Sequence, residues 1–342
     1  MSKVYFSKID KLRDILSSIS YSRLFVLVDD QTEKHCYPLV KPFLADHILI
    51  SVKSGEINKT LASCTEIWEQ LTTHEADRNA LLINLGGGVI TDMGGFCAGA
   101  YKRGINFINI PTTLLAQVDA SSGGKTGVDF EGFKNHIGLF CEPQCVLIDT
   151  IFHRTLPANQ MRSGFAEMLK HGLIADAGHW EALKSISFQS VDLDTIKSSV
   201  AIKQKVTEAD PTEKGVRKIL NFGHTIGHAF ESFCLSNDIP LLHGEAIAVG
   251  MIAEAFISNS KRLLGDQERE EIEQYLKEIY DLPDIKKASY HEILRLCKQD
   301  KKNKNGKVLM SLLEKKGKAT YDVPIDDQLI QEAISYTLEL HF

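Results

Sequence analysis

The sequence predicts an α/β half built on a buried, mainly parallel sheet, followed by a mainly α-helical half. Length is the first observation behind this. At 342 residues the chain exceeds what a single core usually serves, and about two domains of roughly 100 to 200 residues are expected. The second is a run of short apolar, β-branched segments between residues 24 and 149, separated by helix-like stretches. The third is the loss of that rhythm after Thr150, where apolar residues recur with helical spacing.

In order, LFVLVDD, HILISV, ALLINLG, NFINIP and CVLID read as strands. They are continuously apolar rather than alternating, as strands covered on both faces are, and they mark the first half as Rossmann-like. Helical periodicity follows at about 157–175, 192–209, 217–235, 244–264, 266–280 and 326–339. KVLMSLL and KATYDV suggest a hairpin around LEKKGK. The halves are placed at 1–150 and 151–342. No long linker separates them, so tight packing with a cleft between them is expected, a favoured place for a site.

Composition narrows the function. Hydrophobic residues at 43% and charged residues at 25% are ordinary, and a formal charge of -6 disfavours a general nucleic-acid binder. Cys36, Cys64, Cys97, Cys141, Cys145, Cys234 and Cys297 are scattered, odd in number and without C-x-x-C spacing, which suits a reduced, cytoplasmic compartment. No targeting segment is expected, and the apolar stretch Ala246–Ile257 is interrupted by Glu254, short of a membrane span.

Three constellations carry chemistry. ALLINLG runs into Gly86, Gly87 and Gly88 and then a helix, an arrangement that lets backbone N–H groups approach a phosphate; a merely tight strand-to-helix turn is the other reading, because G-x-G-x-x-G is absent. Gly123, Gly124, Lys125, Lys134 and Asn135, with Asp119, form a second cluster. It is not a Walker A motif, and its lysines either reach an anion from a flexible glycine pair or are solvated. Glu167, Lys170 and His171, then His224 and His228, then His243 with Glu245 supply imidazole and carboxylate ligands for a metal such as Zn2+, although spacing alone does not choose among them. Just upstream of His224 lie Lys203, Glu213, Arg217 and Asn221, the last two read as i, i+4 helical partners.

Taken in order, GGGVITD, YKRG, PTTLLAQVDASSGGKTG, FKNHIG, GFAEMLKHG, ADPTEKGVRKILNFGHTIGHAFE and LLHGEAIAVGM resemble the 3-dehydroquinate synthase family of sugar-phosphate cyclases, over about residues 50 to 312. The resemblance implies an NAD- and metal-dependent lyase that turns 3-deoxy-D-arabino-heptulosonate 7-phosphate into 3-dehydroquinate and phosphate, as a homodimer with no nucleic-acid or membrane partner. It implies metal ligation (Zn2+ or Co2+) by Glu167, His224 and His243. It assigns NAD to Ser54, Gly55, Glu56, Ile57, Asn58 and Lys59, to Gly88, Val89, Ile90, Thr91 and Asp92, to Thr112 and Thr113, to Lys125 and Lys134, and to Phe152, His153, Arg154 and Thr155. Substrate falls to Arg103, Asp119, Lys125, Lys134, Asn135, Lys170, Lys203, Arg217, Asn221, His228 and Lys301. Two departures stand out. Thr91 replaces the family's usual glycine, where it would crowd the phosphate turn, and Ser122 replaces a common valine. Other sugar-phosphate cyclases and a metal-dependent polyol dehydrogenase are the rival readings.

Overall fold

A computed structural model describes residues 2–120, 123–131, 133–281, 285, 289–299 and 307–340. One unit comprises Met1–Pro157 with Asp192–Val200, the other Ala158–Val191 with Ala201–Phe342.

In the first unit, strands β1 (Lys3–Phe6), β2 (Leu24–Asp29), β3 (Ile48–Val52), β4 (Leu81–Gly86), β5 (Asn106–Pro111) and β8 (Cys145–Ile148) form one sheet in the order β1-β8-β5-β4-β2-β3. Every pairing is parallel. The continuous apolar runs are explained by burial on both faces. Phe25, Leu27, Leu82 and Phe107 pack with Ile67, Met93 and Phe96 on one side, whereas Val26, Leu81, Ile83, Ile108 and Ile110 pack with Leu12, Val40 and Phe152 on the other. The chain leaves β2 for β3 on one flank and returns to β4 on the opposite flank. This reversal opens a crevice at the carboxyl ends of the strands, where open α/β sheets bind ligands.

The sequence rhythm missed two features of this unit. The edge strand β1 is four residues long and only partly buried, without the apolar run of the other strands. The glycine cluster is an antiparallel hairpin of β6 (Lys125–Phe130) and β7 (Phe133–Phe140). A side chain at Gly127 would place its Cβ 2.7 Å from the Ile137 carbonyl, and one at Gly138 would come 2.4 Å from that of Thr126. Gly127 and Gly138 serve close strand approach.

The second unit is a helical bundle: Ala158–Ala175, Ala177–Lys184, the end of Leu193–Ala209, His224–Ser236, His243–Ser260, Asp266–Ile279, Tyr290–Gln299 and Asp327–Glu339. The expected hairpin is present as β9 (Val308–Lys315) and β10 (Lys318–Ile325), turning through Gly317 at φ +79°. Ile226, Phe230, Val249, Ile257, Ile293, Met310, Leu312 and Ile334 fill its core.

The helix expected over 217–235 is corrected. Val216–Asn221 is a 3-10 turn, Gly223 adopts φ +79°, and only then does the α-helix begin. Any Cβ at Gly223 would meet Met251 Cγ at 2.7 Å. The buried Glu254 explains the break, because its carboxylate accepts from Gly223 N at 2.7 Å and Ile226 N at 3.1 Å and so satisfies the open end of the new helix. Arg217 and Asn221 are therefore not α-helical i, i+4 partners. Among the described residues no helix is long and apolar enough to cross a membrane.

Candidate active site

Three helices of the second unit bring the metal-ligand candidates together. Glu167, Lys170 and His171 lie on Ala158–Ala175, His224, His228 and Glu231 on His224–Ser236, and His243 opens His243–Ser260. The approach is close because two contacts admit only glycine. A Cβ at Gly244 would fall 1.9 Å from the Ser163 carbonyl, and one at Gly250 would fall 1.9 Å from that of Gly223.

The Nε2 atoms of His224 and His243 lie 3.4 and 3.5 Å from the same Glu167 oxygen, Oε1. Each ring is pinned from behind: His224 Nδ1 pairs with the Phe222 carbonyl at 3.1 Å, and His243 Nδ1 with Glu231 Oε2 at 3.3 Å. His228 stands beside them, its ring centroid 5.1 Å from that of His224 and 5.7 Å from that of His243. The nitrogens of these three histidines also form a group able to hold an ion. Glu167 is fully enclosed and in ion-pair contact with Lys170, and neither carboxylate oxygen accepts a hydrogen bond of good geometry from the described residues.

The electrostatics match that geometry. Burial opposes the Glu167 charge, but Lys170 and His224 hold its carboxyl well below the ordinary range. Burial lowers His224 and keeps it neutral. Burial also opposes a charge on His243, yet Glu231 and Glu167 at its two ends push it up to about 10. Of the two rings facing Glu167, only His243 thus carries a positive charge. The cluster asks for positive charge between its carboxylate and its nitrogens, as a cation site does.

Two further basic candidates of this unit are well enclosed. Lys203 and Arg217 are buried; Arg217 Nη1 donates to the Pro211 carbonyl at 2.8 Å, and its backbone N–H donates to Asp210 Oδ2 at 3.1 Å. Asn221 Nδ2 donates to Glu213 Oε1 at 2.9 Å. Lys301 and Ser122 lie outside the described residues.

In the first unit the nucleotide candidates collect at the carboxyl edge of the parallel sheet. Ser54–Lys59 follow β3, Gly88–Asp92 follow β4, Thr112 and Thr113 follow β5, and Phe152–Thr155 follow β8. At the turn after β4 a Cβ on Gly87 would press within 3.0 Å of Thr113, and the helix Gly88–Ala100 begins with no side-chain cap. Its first N–H groups are available to an anion. Ile90 and Phe152 bury their side chains in the core, so their contribution to a ligand is backbone.

Thr91 does not crowd the turn as expected. It is buried, and its hydroxyl bonds back to the Gly87 and Gly88 carbonyls at 3.3 and 3.2 Å. Lys59 is buried too, and ties the segments together through Asp92 at 2.7 Å and Asn135 Oδ1 at 2.6 Å. Burial works against its charge, yet Asp92 and Glu56 keep its pKa raised. Ser54 N donates to Asp30 Oδ1 at 2.7 Å, Asn58 Nδ2 to the Ser54 carbonyl at 2.7 Å, and Lys134 pairs with Glu56 at 3.6 Å. Asp119 is half-buried, while Arg103, Lys125, Arg154, Thr155, Gly55 and Ile57 are exposed.

Sequence reasoning passed over Glu231 and Gln117. Glu231 had a signal, for it follows His224 by two helical turns on one face. Gln117, described below, had none.

Residues 49–163 match the family described as 3-dehydroquinate synthase N-terminal, and residues 164–303 match 3-dehydroquinate synthase C-terminal. The chain is 41% identical to 3-dehydroquinate synthase of Parabacteroides distasonis, over 97% of this chain and 94% of that one. It is 42% identical to the Campylobacter concisus protein of the same name, over 83% of each. Among solved structures it is similar to 2-deoxy-scyllo-inosose synthase complexed with carbaglucose-6-phosphate, NAD+ and Co2+, at TM-score 0.84 and 29% identity over 94% of both chains. With both halves matched and identity above 40% across almost its whole length, the chain belongs to the 3-dehydroquinate synthase family.

Proposed function

We propose that the chain converts 3-deoxy-D-arabino-heptulosonate 7-phosphate into 3-dehydroquinate and phosphate, with NAD and one divalent metal, Zn2+ or Co2+. The observation that carries this reading is the convergence of two pinned imidazoles on the enclosed carboxylate of Glu167 in a chain of this family. That donor set, N, N and O with the second ring nitrogens occupied elsewhere, fits a catalytic divalent ion. Glu167, His224 and His243 would hold it, with His228 on the substrate side. The glycine cradle after β4 and the uncapped helix behind it fit a dinucleotide pyrophosphate. Ser54–Lys59, Gly88–Asp92, Thr112, Thr113, Lys125, Lys134 and Phe152–Thr155 are the proposed NAD contacts.

When bound, the nicotinamide exchanges hydride with C5 of the substrate and the metal polarises the oxygen there. The chain's own residues supply the rest. Lys170, buried against Glu167, keeps that carboxylate ionised. Lys203, Arg217 and Asn221 would stabilise charge on departing phosphate; Lys203 and Arg217 are buried, Arg217 is held by Pro211 and Asn221 by Glu213. Arg103, Asp119, Lys125, Lys134 and Asn135 of the first unit are further proposed substrate contacts, as is Lys301. A homodimer in the cytoplasm completes the reading, the location supported by seven scattered cysteines, odd in number. Chelation should abolish activity and Zn2+ or Co2+ should restore it; full turnover in metal-free protein refutes the proposed centre.

A further inference from the structure

Gln117 is fully buried, and its amide admits one orientation. Nε2 donates to the Pro111 carbonyl at 3.2 Å and to the Asp149 carbonyl at 3.1 Å. Turning the amide over would set oxygen against two oxygens. Its Oε1 therefore faces His153 Nε2 at 2.8 Å, and an amide oxygen needs a donor there. The proton of the neutral ring sits on Nε2. The two nitrogens of an imidazole point in diverging directions, so Nδ1 faces away from Gln117 as a bare lone pair. Among the described residues no group hydrogen-bonds to it.

His153 follows β8 on the carboxyl edge of the parallel sheet that also carries Thr112, Thr113 and the glycine turn. We infer that His153 Nδ1 is a fixed hydrogen-bond acceptor for the dinucleotide, selecting an N–H or O–H donor and rejecting a phosphate or carbonyl at that point. This rests on the proposed NAD site. The acceptor persists at neutral pH, because burial lowers the His153 pKa to about 4. A histidine free to protonate would present a donor and welcome phosphate; burial denies His153 that role, and Gln117 fixes which nitrogen is left to accept. The donor chemistry has three sources in NAD, the 6-amino group of adenine, the ribose hydroxyls and the nicotinamide carboxamide.

The test measures binding of NAD, nicotinamide hypoxanthine dinucleotide, ribose-deoxy NAD analogues and 3-acetylpyridine adenine dinucleotide to the full chain and to His153→Phe. One class of analogue should bind the wild type roughly 5- to 100-fold more weakly than NAD, the size of one mismatched polar group, and should lose that disadvantage in the variant. Loss with hypoxanthine identifies the adenine amino group, loss with a deoxy sugar a hydroxyl, and loss with acetylpyridine the carboxamide. No discrimination in the wild type, or equal discrimination in both proteins, overturns the inference while leaving the NAD reading intact. Failure of the wild type to bind NAD refutes that reading and the inference with it. Nitrogen NMR of the wild type, which needs no variant, should show a neutral Nε2–H ring at pH 6; an imidazolium or an Nδ1–H tautomer overturns the inference directly.

Discussion

Replacing Glu231 with alanine removes the carboxylate that anchors His243 Nδ1 at 3.3 Å and is itself buried. The Nε2 of the same ring lies 3.5 Å from Glu167, so the ring is held at both ends on the line along which it would reach a metal. With Glu231 gone, His243 is free to rotate and to place its proton on Nε2, which blocks ligation. Loss of such an orienting carboxylate costs about 10- to 100-fold in metal affinity, or roughly 1.4 to 2.7 kcal/mol. Glu231→Gln keeps an acceptor without the charge and should fall between the two. The assay is a Zn2+ titration in competition with a chromophoric chelator, with thermal unfolding of the metal-free proteins as a control for folding. Wild-type Zn2+ affinity in a folded Glu231→Ala protein would refute the assignment of His243 as a ligand oriented from behind.

His243→Ala should lose bound metal, whereas His228→Ala should retain it and lose turnover; equal metal loss in both places His228 among the ligands. Away from the site, Glu271 is clamped by Lys184 at 2.5 Å and Lys316 at 2.6 Å. Burial opposes its charge, but the hydrogen bonds from Lys184, Lys316 and Trp180 lower its pKa to about 2 from 4.5. A depressed carboxylate stabilises the fold above its unfolded pKa and loses that contribution as pH falls through its folded one. Glu271→Gln should therefore cost about 1 kcal/mol at pH 7, after allowing for solvent screening. The gap, followed by urea unfolding, should narrow from pH 4.5 towards pH 2, and an unchanged gap at low pH contradicts the ion-pair origin.

The strands β2, β3, β4, β5 and β8 were legible because each sits in a nearly continuous apolar run, a signal carried by most of its residues. The helices bearing Glu167 and His243 were legible through their apolar period. The 3-10 turn before His224 was not, because its cause lies elsewhere in the chain: Glu254 reaches back to cap Gly223 and Ile226. In the sequence Glu254 was only an interruption in an apolar stretch. The β6–β7 hairpin was hidden for a similar reason, since Gly127 and Gly138 acquire meaning only from each other's backbone. Of the candidate site, the residue types were visible and their selection was not. Which histidines turn their Nε2 towards Glu167 depends on what holds Nδ1, and those partners are a backbone carbonyl for His224 and an unremarked glutamate for His243.

The central claim is a lyase that borrows hydride and returns it. The heptulosonate phosphate and dehydroquinate plus phosphate stand at the same overall oxidation level, so oxidation serves only to acidify a neighbouring C–H for elimination and must be reversed. The decisive measurement loads the protein with less NAD than substrate and records phosphate, dehydroquinate and nicotinamide absorbance in one cuvette. Phosphate and dehydroquinate should rise together through many turnovers with no net NADH. NADH rising in step with substrate consumed would make the protein a dehydrogenase and contradict the proposed reaction.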